Sequence, residues 1–222
     1  MSTRVAALVT AAGSGTRFGG QKQFITIDDA GTRLVDRAVV TMRAVADWVG
    51  VILPADHEWS GPAVDAALAG GHDRRSTIAA GMAFVPAEAE IVVVHSASHP
   101  LASAALAQAA IDALGHGSGA DGAVPTLPLV DVAKRVGADG RLLTVGRQGF
   151  GLAQSPMAFT HDALAQALAA DLDAVEESQL VEATGGVVVA VPGEVANVHV
   201  VDQASLRVVR SIAAFEALEG TN

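Results

Sequence analysis

Val5-Ala6-Ala7-Leu8-Val9-Thr10-Ala11-Ala12-Gly13-Ser14-Gly15-Thr16-Arg17-Phe18-Gly19-Gly20-Gln21-Lys22-Gln23-Phe24 is the stretch that decides the fold. Its first part, Val5–Val9, is a short apolar run ending at a glycine-rich turn, the pattern of a buried strand. The turn follows that strand directly and carries Arg17 and Lys22. Glycines let backbone N–H groups approach phosphate oxygens, and a cationic side chain then balances charge that the amides cannot. A dinucleotide fingerprint would need glycine where Phe18 stands, and a Walker A loop would need Ser or Thr where Gln23 stands. An ordinary βα turn and a different kind of phosphate cradle remain. The two cations favour the cradle, and lysine is scarce here: Lys22 and Lys134 are the only two, against twelve arginines.

Further apolar runs occur at Val49–Leu53, Ile91–Val94, Val187–Val191 and Val198–Val201. Helical spacing alternates with several of them, at Leu34–Ala46, Arg75–Phe84, Ser103–Leu114, His161–Ala170, Glu176–Thr184 and Asp202–Leu218. The alternation predicts an α/β fold with a mostly parallel sheet. Asp131–Phe150 differs: two strand-like pieces flank Gly137-Ala138-Asp139-Gly140, so it reads as a β-arm. With no linker composition and no repeat, residues 1–222 read as one domain with an arm at about 131–150.

Half of the residues are apolar, but no run is long enough to span a membrane and residues 1–10 carry no cleavage pattern, so the cytoplasm is the expected compartment. The chain has no cysteine, which excludes thiolate catalysis, disulfides and cysteine-bound zinc. A net charge of −10 argues against broad nucleic-acid binding, so any anion must be held locally.

Beyond the loop, Gly70-Gly71-His72-Asp73-Arg74 followed by Thr77–Met82, His95-Ser96-Ala97-Ser98-His99-Pro100, Asp131-Val132-Ala133-Lys134-Arg135, Gln154-Ser155-Pro156, Glu176-Glu177-Ser178 and Asn197-Val198-His199-Val200 occur in order. Together with the loop they resemble the motifs of the 2-C-methyl-D-erythritol 4-phosphate cytidylyltransferases, and the resemblance covers nearly the whole chain. It implies a Rossmann-like three-layer nucleotidyltransferase fold with a protruding β-arm, and a homodimer formed through that arm. It also implies transfer of CMP from CTP to a small sugar- or polyol-phosphate, 2-C-methyl-D-erythritol 4-phosphate first among them, with magnesium as cofactor and release of pyrophosphate in isoprenoid precursor synthesis. Arg17 and Lys22 would be catalytic. Ala11, Ala12, Gly13, Ser14, Gly15, Gly71, Arg74 and Thr77 would hold the nucleotide, and Ser96, His99, Val132, Arg147, Ser155 and His199 the acceptor, Arg147 and Ser155 reaching it across the dimer.

Four acceptor-side positions depart from the family together. Ser96 stands in place of an aspartate, His99 of an arginine, Val132 of a threonine and His199 of a lysine. The loop has Gln21 where a proline usually precedes the lysine, and it is shorter between Arg17 and Lys22. A weak or inactive paralogue that binds nucleotide or acts as an assembly partner is therefore the alternative, and use of another base such as GTP a third.

Other residues have plainer readings. His95, His99 and His199 match no zinc signature, and no metal ligands are assigned. Asp131 reads as a solvated partner of Lys134 or Arg135, Glu176 and Glu177 as complements of a helix dipole, and Asp202 as a helix cap.

Overall fold

In the computed structural model, residues 4–16, 18–170, 172 and 174–219 are described. Val5–Thr10 forms β1 and is the hinge of the architecture, because both of its edges pair in parallel. On one side lies β2 (Trp48–Leu53), followed outward by β3 (Ala66–Ala69); on the other lies β4 (Ile91–Ser96). Beyond β4 come β9 (Met157–Thr160), β5 (Gly122–Pro128) and β10 (Val188–Pro192), with the short β8 (Gly151–Ala153) also pairing with β5. β9 runs antiparallel to both β4 and β5, whereas β10 is parallel to β5. The sheet is therefore mostly parallel, with an antiparallel insert.

The period-2 alternation of β1 builds the layers. Val5, Ala7 and Val9 pack against α1 (Leu34–Arg43) and α3 (Ala104–Asp112), meeting Val35, Val39, Met42 and Ala107. Ala6 and Leu8 turn to the other face, toward α2 (Arg74–Met82), α4 (His161–Ala169) and α5 (Glu177–Ala183), where Ile78, Leu164 and Val181 lie. A third cluster joins Leu206, Val209 and Ala213 of α6 (Gln203–Glu219) to Ile27, Leu34, Leu101 and Val200. Side-chain caps fix several helix starts: Asp73 Oδ1 accepts the Ser76 N–H at 2.7 Å, and Asp202 Oδ1 accepts the Ser205 N–H at 2.8 Å, as expected of Asp202.

The arm is a hairpin of β6 (Ala133–Val136) and β7 (Leu142–Val145), paired from Ala133↔Val145 to Val136↔Leu142 and closed by Gly140 at φ +79°. Val130, Val132, Val136, Leu142, Leu143 and Phe150 on or beside it are all exposed. The expected pairing of Asp131 with Lys134 or Arg135 is not formed; the Lys134 ammonium donates instead to Thr144 Oγ1 across the hairpin at 2.5 Å.

Two expectations about strands are corrected. Val198–Val201 joins no sheet: Val200 is buried against α6, and its N–H donates to the Ser98 carbonyl at 2.8 Å. Conversely β3, β5 and β9 carry no strong strand signal. β3 is half alanine or more, β5 holds Pro125 and Pro128, and β9 has four residues. Among the described residues, no helix is long and apolar enough to cross a membrane.

The core assignment is testable. Leu8 has no exposed surface while Val195 is 83% exposed. Leu8→Ala should cost about 3 kcal/mol in urea unfolding and Val195→Ala less than about 0.5 kcal/mol; similar losses at both sites would contradict the layering.

Candidate functional site

Because β1, β2, β3 and β4 are parallel, their carboxyl ends share one edge of the sheet, and the chain order reverses between β1 and β4. A crevice forms at such a switch point. Here it is a cleft of about 210 Å³ lined by Thr10–Gly13 after β1, Gly71–Arg74 and Thr77 after β3, Ser96–Ser98 after β4, and Gln23. Ala11, Ala12, Gly13, Gly71, Arg74, Thr77 and Ser96, all expected from the sequence, thus meet on one surface. A larger groove of about 630 Å³ lies at the opposite edge, where Glu88, Glu90, Asp121 and Asp162 would repel a triphosphate.

The glycine loop turns about Gly15, whose carbonyl accepts the N–H groups of Phe18 and Gly19 at 2.9 Å and of Gly20 at 3.2 Å. Gly15 has φ +66°, and a Cβ there would lie 1.7 Å from the Gly20 oxygen, so only glycine fits. Arg17 lies outside the described residues. Gln23, which sequence reasoning used only to exclude a Walker A loop, is buried and donates from Nε2 to the Gly13 carbonyl at 3.1 Å, fixing that peptide plane. The loop also presses on the second motif: a Cβ on Gly70 would fall 2.4 Å from Ala12 Cβ. Lys22 starts a single 3-10 turn, and its ammonium donates to the Val200 carbonyl.

On the opposite wall, Thr77 Oγ1 donates to the Asp73 carbonyl at 2.6 Å and accepts the Gly71 N–H at 3.1 Å. Thr77 therefore ties the glycine turn to the first turn of α2. Arg74 is 43% exposed and donates from Nε and Nη2 to the two Glu177 carboxylate oxygens at 2.7 and 2.8 Å. Glu177 does stand in the first turn of α5, where its charge complements the helix dipole, but its side chain is 2% exposed and serves in addition as a bidentate partner of Arg74.

Under the Ser96 wall lies a polar network. Ser155 is buried, accepts the Ser96 N–H at 2.8 Å and shares a 2.8 Å hydrogen bond with His95 Nδ1; Asn197 Nδ2 donates to the Ser155 carbonyl at 2.8 Å. Gln154 Nε2 donates to the carbonyls of Glu194 and Asn197 at 2.8 and 3.0 Å. The Ser155 hydroxyl, expected at an acceptor phosphate, is thus engaged inside its own chain. The reason is position: Ser155 sits on the sheet side of Ser96 just before β9. Sequence reading named Gln154 and Asn197 in motifs without a role, and nothing in their local pattern reveals these partners.

His99 is buried and stacks on exposed His199, with ring centroids 4.4 Å apart and an interplanar angle of 19°. Burial, followed by the neighbouring His199, His95, Lys22 and Arg74, pushes the His99 pKa down to about 2; burial alone takes His95 to about 3. Both rings are neutral at neutral pH, so His99 supplies no positive charge. Val132 and Arg147 stay on the exposed arm, away from the cleft lining, with Arg147 Nη1 donating to the Val130 carbonyl.

A glycine loop at the switch point of a parallel sheet, faced by a helix-capping turn that carries an arginine, defines a nucleotide-binding α/β protein of the nucleotidyltransferase class. The family model for IspD, 2-C-methyl-D-erythritol 4-phosphate cytidylyltransferase, matches residues 5–214. This chain is 35% identical to the enzyme of that name from Chromobacterium violaceum, over 94% of this chain and 97% of the relative, and 36% identical to that of Nocardia farcinica, over 86% and 85%. The crystal structure of the Thermus thermophilus enzyme superposes with a TM-score of 0.81 at 25% identity, covering 93% of this chain and 98% of the other. The chain belongs to the 2-C-methyl-D-erythritol 4-phosphate cytidylyltransferase family.

The neutral histidines carry a pH dependence. Their folded pKa values lie below the ordinary 6.5, so the unfolded chain binds more protons between about pH 6.5 and 3 and stability falls as pH drops through that window. From pH 7 to 5 each should remove about 2 kcal/mol of unfolding free energy. Urea titrations should show this, with His99→Gln abolishing about half of the slope; a pH-independent stability over that range would count against the burial of both rings.

Proposed function

We propose that the protein transfers the CMP group of CTP to 2-C-methyl-D-erythritol 4-phosphate, releasing pyrophosphate, in isoprenoid precursor synthesis. The observation that carries this reading is the coincidence of the family match over residues 5–214 with one cleft lined by the loop, the second glycine motif and the Ser96 segment. An acceptor phosphate oxygen attacks the α-phosphorus of CTP, a new P–O bond forms, and the bond to the bridging oxygen of the β-phosphate breaks. The nucleophile is already anionic at neutral pH, so positioning and charge balance matter more than a strong base.

In this reading the amides of Ala11–Gly15 cradle the triphosphate and Arg17 balances its developing charge, with Lys22 close by as a second cation. Gly71, Arg74 and Thr77 form the nucleoside wall. Ser96, His99 and His199 face the acceptor, Ser155 acts by holding Ser96, and the arm of a second copy brings Val132 and Arg147. The exposed apolar side chains of the hairpin support a homodimer built on the arm.

Magnesium belongs to the family reading, but the donor set of this chain does not fit a protein-held ion. Ser96 replaces the family's aspartate, the carboxylate of Asp73 is committed to Ser76, and among the described residues no three His, Asp or Glu side chains come together closely enough to hold a metal ion. The relatives lend no support to a non-catalytic paralogue.

Pyrophosphate release from CTP should depend on 2-C-methyl-D-erythritol 4-phosphate, and Arg17→Ala should lower kcat about a hundredfold with the melting temperature unchanged. No pyrophosphate with this acceptor across a range of concentrations would refute the activity. For the dimer, Leu143→Asp on the arm should shift sedimentation toward monomer and reduce turnover together; a fully active monomer would rule out a shared site.

A further inference from the structure

Glu177 is a buried carboxylate that the reaction does not consume. It comes from α5, in a different part of the chain from every wall of the cleft, and its two oxygens take the Nε and Nη2 hydrogens of Arg74 at 2.7 and 2.8 Å. A guanidinium has five N–H donors in a rigid planar fork. Two are fixed by Glu177, which leaves the Nη1 edge pointing away from the carboxylate on a residue that lines the cleft and is 43% exposed. Among the described residues lining the cleft, Arg74 is the one Lys or Arg, and its carboxylate neighbour Asp73 is occupied as the cap of α2.

The environment of the pair is asymmetric. Glu177 is 2% exposed and faces Arg74; Glu176, which precedes it, adds a second negative charge near the guanidinium. Here the carboxylate is buried and the cation is at the cleft surface. A long side chain at a helix start otherwise samples several rotamers, and ordering it on binding costs affinity. A bidentate buried carboxylate removes that freedom beforehand and sets the plane of the fork.

We propose that Glu177 is a positioning residue that holds Arg74 in the orientation in which its free guanidinium edge meets the bound nucleotide, so that α5 sets the affinity of the site for CTP. The inference rests on the cytidylyltransferase reading. It extends the site to an element that contributes no lining residue.

The test is a double-mutant cycle on CTP. Wild-type turnover with 2-C-methyl-D-erythritol 4-phosphate comes first, and its absence would mark failure of the functional reading rather than of this one. Given turnover, Glu177→Gln should raise KM for CTP about tenfold, leave kcat within about twofold, and leave KM for the acceptor unchanged. Arg74→Lys should raise KM for CTP similarly, since an ammonium cannot offer the planar fork. Adding Glu177→Gln to Arg74→Lys should then change KM for CTP by less than about twofold. Glu177→Asp, which keeps the charge on a shorter stem, should fall between wild type and Glu177→Gln, and it serves if the glutamine variant does not fold. A merely structural Glu177 would instead lower the melting temperature with KM for CTP unchanged. It would equally be revealed if the two substitutions raised KM by independent factors, and either result overturns the proposal.

Discussion

Parallel pairing of β1 on both edges is the constraint from which the site follows. Ala6–Thr10 registers with Trp48–Ile52 on one side and Val5–Thr10 with Ile91–Ser96 on the other, so the loops leaving β1 and β4 emerge side by side and diverge to cover opposite directions of the sheet. The gap between them needs no side chain to open it. What the sequence must supply is a loop that hugs the gap without filling it, which Gly13 and Gly15 allow, and a second backbone able to approach it closely, which Gly70 allows against Ala12. A β-carbon at Gly70 would force the two walls apart, and one at Gly15 would break the turn of the loop against Gly20.

The floor of that gap is polar but carries no charge. His95 faces the same side of the sheet as Val9 and Val93, yet it is tied through Ser155 to the Ser96 amide, and Ser155 is tied in turn to Asn197. An uncompensated charge buried there would cost several kcal/mol, so the ring stays neutral. His99 follows the same logic, and this has a consequence for the acceptor. The family arginine at that position is a permanent cation, whereas a buried histidine surrounded by Lys22, Arg74 and two other histidines cannot become one. In the proposed dimer, charge for an acceptor phosphate would come from the arm of the second copy, which carries Lys134, Arg135, Arg141 and Arg147 between residues 131 and 150.

The strands legible in the sequence are those whose residues alone specify a buried strand: β1, β2, β4 and β10 are apolar runs rich in valine. β3 and β5 become strands because their neighbours offer a paired edge, a tertiary effect that overrides alanine and proline content. Val198–Val201 fails in the opposite sense. Its valines are apolar for the sake of α6, and apolar content without a free strand edge yields an extended segment only. In the site, the glycine motifs were legible because backbone geometry restricts residue type directly. The Arg74–Glu177 pair was not, because its partners are 103 residues apart and an acidic residue at a helix start already has a local explanation. Ser155 was placed at an acceptor by motif, but its hydroxyl is committed by the fold to its own chain.

The net charge of −10 is a poor guide to the cleft. Glu90 precedes β4 and Asp121 precedes β5, so the acidic groove they share with Glu88 and Asp162 lies at the amino ends of the parallel strands. A six-residue strand spans roughly 20 Å at about 3.3 Å per residue. At physiological ionic strength the screening length is about 8 Å, so that groove acts on the cleft through more than two screening lengths. In the proposed function a triphosphate is met by local groups: the loop amides, Arg17 and Lys22 as the loop's cations, and Arg74 on its buried carboxylate. A protein can thus be acidic overall while its proposed anion site is governed by local dipoles and a few nearby cations. Substitutions that alter total charge at the far edge should accordingly matter less to nucleotide affinity than a change in the orientation of Arg74.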